Sequence, residues 1–448
     1  MKKHLFNTNW LFLLTIFSLP LYGQTSGKKW TLQECVDYAL NHNIQLKKST
    51  IVQQMAEEDV LQSRAALLPS LSASTTQSMT YRPFIASGQS TVANGYVQSS
   101  IDKVYYNGSY SVNANWTVWN GNRNKNTIKQ NELSAQMAVL DSAITARSIE
   151  EQITRLYVQI LFTKETIVIN EQSLATSRLN EERGKTMVEV GQMSKADLAQ
   201  LTAQRASDEY NIVAAESNVK SYLFQLKQLL ELTDASDFDI ATPATTDAQA
   251  LEPIPALSEV YQLALASRPE IQNARLAIES SELSIDIAKA GKLPTIGVSA
   301  GVGTNTTSMS DRAWGSQLKT NFDASVGATL SIPLFDNRQT KTALNKARLQ
   351  HESSLLDLQA KEKELYSTIE SYWIDAVTNQ SKFKAAQTAT SSEQTSYELL
   401  SEQFRLGLKN IIELMTGKTN LVTAQQNELQ SKYMTIYNIY MLKYYSKV

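Results

Sequence analysis

The sequence predicts a mixed α and β architecture in which one unit is used twice, with long helical rods beside short two-faced strands. The first observation is a repeat. LLPSLSAS (67–74) and KLPTIGVSA (292–300) place Pro69 and Pro294 225 residues apart, and ALNHNIQL (39–46) and ALASRPEI (264–271) keep that offset with Leu40 against Leu265. Further on, VWNGNR (118–123) parallels LFDNR (334–338), and VEVGQMSKADL (188–198) parallels FRLGLKNIIEL (404–414), with Gly191 against Gly407. Self-similarity at so long a period marks a two-fold plan. The second observation is a heptad seam, and the third is strict alternation of apolar and polar residues in four short runs.

The expected order of elements begins with a secretory leader over 1–23. Lys2 and Lys3 start it, Leu11 to Leu21 form an apolar stretch, and Gly23 precedes a plausible cut. That apolar stretch is too short to span a bilayer comfortably. A first structural repeat covers 24–232, a linker rich in Thr, Asp, Ala and Pro covers 233–256, and a second repeat covers 257–448. Within the first, 31–66 reads as one helix with Leu32, Val36 and Leu40 on a stripe that Ile51 and Met55 extend. Period two follows over 68–82, with Leu71, Ala73, Thr75, Met79 and Tyr81 against Ser70, Ser72, Ser74, Thr76, Ser78 and Thr80. A loop is expected over 83–108. Alternation returns over 109–119, with Tyr110, Val112, Ala114, Trp116 and Val118 on one face.

From Asn124 to Val188 the period is helical. Leu133, Met137, Leu140 and Ile144, then Ile149, Ile153, Leu156 and Ile160, then Ile167 and Leu174 form the seam. At ~1.5 Å per residue this is a rod of roughly 90–100 Å. Gly191 ends it, and a second long helix runs over 194–232, so the two form an antiparallel hairpin. The second repeat gives a helix over 257–291, a strand over 294–303, a loop over 304–320, a strand over 321–333, a long helix over 338–404, a turn at Gly407 and a helix over 410–445. The prolines at 69, 83, 243, 253, 255, 269, 294 and 333 fall outside the four long helical patterns, as suits a residue that breaks helices.

Composition narrows the function. The chain has 448 residues, formal charge −2 and one cysteine. Losing 1–23 removes two lysines and no acid, which leaves −4 and no nucleic-acid footprint. Cys35 has no partner for an internal disulfide and is expected as a small buried residue. With a leader and no second apolar span, two readings stand: a soluble periplasmic protein or a β-barrel. The strands are long enough to cross a bilayer when tilted. Four of them cannot close a barrel, and open edges are excluded from lipid. A membrane barrel would therefore be shared by several chains. Trp116 and Trp119 suit an interfacial belt, and core packing accounts for them equally.

WTLQECVDYAL (30–40), the LPSLSAS and LPTIGVSA pair, LSIPLFDNR (330–338) and FRLGLKNIIELMTGKTNLVTAQ (404–425), in this order and duplicated, resemble the TolC-like outer-membrane efflux proteins over nearly the whole mature chain. The resemblance implies a mixed α and β membrane protein. It supplies four transmembrane strands to a 12-stranded barrel shared by a homotrimer, and its long helices build a coiled-coil periplasmic tunnel. It implies a passive exit duct of a tripartite efflux or type I secretion system, set in outer membrane lipid. Docking to a periplasmic adaptor (a membrane fusion protein) and an inner-membrane pump of RND or ABC type would open it. The resemblance implies no cofactor.

The same resemblance selects the candidate residues. Glu413 falls where an acid rings the tunnel mouth, and Thr416 stands where a second acid is frequent. Three copies would then form one carboxylate ring favouring cations, unless Glu413 is only a solvated helix charge. Lys409 and Asp197 fall on the positions whose contact holds the resting state closed. Ala196 and Phe404 replace a hydroxyl and a tyrosine there, so the lock is expected to be weak. The turns Val190, Gly191, Gln192 and Leu406, Gly407, Leu408 are the expected adaptor contacts, or purely structural turns. Pro69, Pro294 and Pro333 mark helix–strand junctions.

No other chemistry competes. His4 lies in the leader, and His42 and His351 stand apart with no metal spacing. The chain has no phosphate-binding glycine loop and no nucleophile elbow, so an enzyme is not expected. The contrasting class is an extracytoplasmic coiled-coil stalk, structural or adhesive. A stalk has no need of two-faced strands, and carbonate extraction separates the two. Among cargoes, multidrug-type efflux is favoured, since no His or Met cluster points to metal.

Overall fold

The computed structural model describes residues 29–84, 88–92, 95–99, 103–233, 238–243 and 245–447. The expected leader, 1–23, lies outside them. The elements run β1 (Lys29–Trp30), α1 (Leu32–His42), α2 (Ile44–Ala65), β2 (Ser70–Tyr81), β3 (Gly88–Val92), β4 (Gly95–Ser99), β5 (Val104–Trp119), α3 (Arg123–Glu189) and α4 (Lys195–Leu229). Then come β6 (Asp239–Ile240), α5 (Asp247–Ala250), α6 (Leu257–Ser267), α7 (Pro269–Ala290), β7 (Thr295–Thr307), α8 (Trp314–Thr320), β8 (Asp323–Ser331), α9 (Gln339–Arg405) and α10 (Ile411–Ser446).

Both rods, α3 and α9, are 67 residues long, about 100 Å at helical rise. Each starts from a pair of left-handed residues, Gly121 and Asn122 (φ 69° and 66°) or Asn337 and Arg338 (φ 50° and 70°). This is the conformation behind the NGNR and DNR motifs, since Gly and Asn tolerate positive φ best.

Two expectations need correction. The single helix expected over 31–66 breaks at Asn43. Its side-chain Oδ1 accepts from the amides of Gln45 (2.8 Å) and Leu46 (3.3 Å), and its Nδ2 donates to the Leu229 carbonyl at 3.0 Å. One residue thus ends α1, caps α2 and ties both to α4. The helix expected over 257–291 breaks at Arg268, whose ψ is 129°. Pro269 forces this, because the residue before proline is pushed out of the α region. The connections hold more structure than their turn residues signalled. A β3–β4 hairpin lies within 83–108, α8 within 304–320, and β6 and α5 within 233–256.

Two apolar clusters hold the helical body. One joins Cys35, Val36 and Ala39 of α1 to Ile149, Ile153 and Ile160 of α3 and Leu226 of α4. Cys35 is fully buried, and burial pushes its thiol up to about 12, so it behaves as a small apolar residue. The parallel pair β1–β6 closes over this cluster, and Tyr157 donates its hydroxyl to the Ala241 carbonyl at 2.7 Å. The other cluster joins Val260 and Ala264 of α6 to Ile369 of α9 and Met441 and Leu442 of α10. Arg268, 1 % exposed, stacks on Tyr445 at 3.7 Å beside it.

Four strands form one antiparallel sheet in the order β2-β5-β7-β8. Its register keeps like with like. Leu71 faces Ala114, Ala73 faces Val112, Val112 faces Val302, and Val302 faces Ala324. Ser72 faces Asn113, Asn113 faces Gly301, and Gly301 faces Ser325. One face is therefore mainly apolar, with Thr75, Gln77, Thr304 and Thr306 toward its outer end, and the other carries Ser, Thr, Asn and Gly, with Tyr105 and Asp323 at its outer end. The apolar side chains are open in the single chain: Leu71 is 75 % and Val326 83 % exposed. Among the described residues, both outer strands, β2 and β8, are paired on one side only.

Candidate functional site

The two helical hairpins end in closely similar turns. In the first, the Gln192 amide donates to the Met187 carbonyl (2.8 Å) and the Gly191 amide to Val188 (3.1 Å). In the second, Leu408 donates to Gln403 (2.9 Å) and Gly407 to Phe404 (3.0 Å). This double bonding needs a left-handed residue, and Gly191 (φ 76°) and Gly407 (φ 74°) supply it. A Cβ on either would meet no atom within 4 Å, so backbone conformation and not crowding demands glycine. Val190, Leu406 and Leu408 stand out from the turns at 64, 59 and 70 % exposure, and Gln192 is exposed beside them.

Past each turn a cap restarts the helix. Ser194 accepts from the Asp197 amide (3.0 Å) and donates its hydroxyl to the Asp197 carboxylate (2.8 Å). Asn410 accepts from the Glu413 amide (2.9 Å), and Glu413 accepts from the Asn410 amide (3.3 Å), a capping box. Glu413 also takes Lys409 Nζ at 2.5 Å. Lys409 and the Asn410 backbone hold the Glu413 carboxyl below its usual range. Within one chain, Lys409 is therefore paired with Glu413 and Asp197 with its own cap, and the two are not joined to each other. Thr416 is exposed one turn beyond Glu413.

Above the turns the packing changes character. The seam of α3 keeps its heptad beyond Ile160, where Leu174 stays buried among Asn170, Ser173, Ser177, Asn180, Glu181 and Gly184. Polar partners meet them. Glu181 accepts from Thr202 (2.9 Å) and Arg205 (2.8 Å) of α4. Lys418 of α10 reaches across to Asp208 of α4 and Ser177 of α3, and Ser177 donates to Asp208 at 2.5 Å. Lys418, Asp208 and Ser177 are 4, 5 and 3 % exposed. Desolvation holds the Lys418 ammonium below its usual range, against the pull of Asp208. Sequence reasoning missed this cluster, although its signal lay in seam positions occupied by Ser and Asn. Below it, Leu201, Tyr397, Phe404, Ile411 and Leu414 form a small apolar cluster. Phe404, without a hydroxyl, packs there. Gly184 and Gly417 let the partner helices close in: a Cβ on either would lie 2.6 Å from Leu201 or Leu400.

At the opposite end, Pro69 and Pro294 immediately precede β2 and β7, and Pro333 follows β8 by two residues. Trp116 donates its indole N–H to the Leu67 carbonyl at 2.7 Å. It thus binds the helix–strand junction while presenting its ring on the apolar face.

A family model described as outer membrane efflux protein matches residues 35–231 and 260–436. The chain is 21 % identical to the outer membrane efflux protein BepC of Brucella suis over 366 residues, 81 % of this chain and 76 % of that one. It is 22 % identical to the outer membrane protein TolC of Escherichia coli over 362 residues, covering 72 % and 71 %. The fold is that of the Campylobacter jejuni CmeC outer membrane channel, with TM-score 0.78, 16 % identity and coverage of 99 % and 94 %.

Proposed function

The chain belongs to the outer membrane efflux protein family, and from that premise we propose how its single sheet and its rods come to make a duct. The protein is an outer-membrane channel and not an enzyme. The observation that carries the proposal is a sheet with one apolar face and two unpaired edges. Unpaired backbone groups are not tolerated in hydrocarbon. Three copies, each joining β8 to β2 of the next, close a twelve-stranded barrel with the apolar face to lipid and the Ser, Thr and Asn face to water. The halves 24–232 and 257–448, joined by 233–256, then act as two near-equivalent sectors of each third, and the twelve long helices, α3, α4, α9 and α10 of each chain, continue the bore into the periplasm.

Conduction is passive, as the family resemblance implies, and the driving energy comes from the partner pump. A periplasmic adaptor attached to an inner-membrane pump docks at the tips, where Val190, Leu406 and Leu408 offer apolar contact around Gly191, Gln192 and Gly407. At rest the mouth is held by Asp197 of one chain and Lys409 of the next, with Glu413 forming a ring of three carboxylates. Exposed ion pairs contribute only ~0–1 kcal/mol each, so a docking partner opens such a lock readily. Native mass spectrometry and planar-bilayer recording of the detergent-extracted protein test this. A three-chain mass with ionic conductance is expected, and a stable lone subunit that conducts nothing would overturn it.

A further inference from the structure

We propose that Asp323 of one copy and Arg82 of the next form an ion pair on the bore face, fixing the register in which β8 meets β2; this rests on the three-chain barrel above. Asp323 is the only charged residue in the four strands of the sheet. It sits at the outer end of edge strand β8, on the polar face, since it pairs with Gly303 and Gly303 with Ser111. Arg82 is the first residue beyond edge strand β2. Its amide donates to the Lys103 carbonyl at 2.7 Å, which continues the ladder, and its guanidinium lies 5.3 Å from the Tyr105 ring centre. Tyr105 pairs with Thr80 on the polar face. Among the described residues, neither Asp323 nor Arg82 has an ion-pair partner within the chain. Two opposite charges thus lie at the outer ends of the two open edges, on the same face.

The stagger of the sheet decides whether they meet. Asp323, Gly303, Ser111 and Ser74 form one row of the ladder, and Gly327, Ser299, Asn115 and Ser70 form another. Measured from the Ser70 row, β8 extends four residues inward, to Ser331, and four outward, to Asp323, whereas β2 extends eleven outward, to Tyr81. Every residue of β8 finds a partner on the neighbour's β2 only if the joint is displaced outward by four to seven residues. Such displacement is the shear that barrel closure needs. Alternation of faces allows only even displacements. A displacement of six sets Asp323 opposite Thr80, with Arg82 on the diagonal, about 7–8 Å away and within reach of long side chains. A displacement of four sets Asp323 opposite Ser78 and leaves Arg82 about 13 Å off along the strand. Charge complementarity therefore selects six, in which Ser325 faces Ser78.

Paired cysteines in a Cys35→Ala chain test the register. Ser78→Cys with Ser325→Cys is expected to oxidise to a covalent trimer, and Thr76→Cys with Ser325→Cys is not, because diagonal neighbours exceed disulfide geometry. If the second pair links instead, or if neither links in a chain that native mass spectrometry shows to be trimeric, the register is wrong and the barrel stands. If neither links and the chain is monomeric, the three-chain reading itself fails. The ion pair is tested separately. Asp323→Arg and Arg82→Asp are each expected to lower the temperature at which trimers dissociate in dodecyl sulfate, and the double exchange to restore it. A double variant no better than the singles overturns the pair.

Discussion

Lys418 is the residue whose placement is hardest to justify by stability alone. Its ammonium is buried between Asp208 and Ser177 on two other helices, and desolvation of such a pair consumes most of its attraction. Asp208→Asn leaves a buried cation without a counter-charge and is expected to cost about 3 kcal/mol, read as faster amide exchange over 174–184. The triple change Ser177→Ala, Asp208→Leu and Lys418→Met is expected to restore protection, because an apolar layer of like volume replaces the pair. At the mouth, Asp197→Ala with Lys409→Ala is expected to raise single-channel conductance; no change would refute the lock. Glu413 sets a pH window. Its bonds to Lys409 and to the Asn410 backbone hold the carboxyl below the usual glutamate range in the folded chain, so the stability that the contact lends is fully present above that range and is lost as pH falls through the lowered value. Cation preference, measured as reversal potential in a salt gradient, should therefore persist on acidification to the usual glutamate range and disappear in Glu413→Gln.

At the scale of the element, the joints decide the path of the chain. Asn43 ends one helix, caps another and holds a third. Asn43→Ala is expected to cost about 1 kcal/mol or more, seen as a lowered thermal midpoint with the sheet unchanged. The long elements were legible in the sequence because their periods are sustained: the bounds of α3 lie within a residue of those read from the heptads. The breaks at Asn43 and Arg268 were not, since an amphipathic stripe continues across a one-residue joint. Pro269 was the available signal for the second. The α3–α4–α10 polar cluster escaped for a related reason. A seam is recognised by its apolar residues, and Asn170, Ser177 and Glu181 occupy seam positions without them. The hairpin β3–β4 and helix α8 lie in Gly- and Ser-containing stretches too short for periodicity to register.

At the scale of the whole molecule, the two faces of the sheet predict opposite responses to the same change. Val326→Lys, on the apolar face, is expected to destabilise membrane assembly by about 2–4 kcal/mol, measured as loss of dodecyl sulfate-resistant trimers. Ser299→Lys, on the polar face, should assemble normally and change conductance. The glycine turns of the candidate site were legible from local chemistry. The Lys409, Glu413 and Asp197 positions came from the family resemblance, and all of them sit at the ends of the hairpins.

The proposed register has a consequence for what a travelling solute encounters. From the row of Ser70, Asn115, Ser299 and Gly327 outward to Thr80, the polar face offers hydroxyls, amides, a phenol and bare backbone. The one charge of its strands, Asp323, stands in the proposed register diagonal to Arg82, a cation that would neutralise it. A molecule crossing the outer membrane through such a wall trades hydration for neutral hydrogen bonds whatever its own sign. Zwitterions, weak bases and acids would pass with similar ease. Electrical sorting would then be left to the far end, where the proposed Glu413 ring stands, some hundred ångströms of helix away.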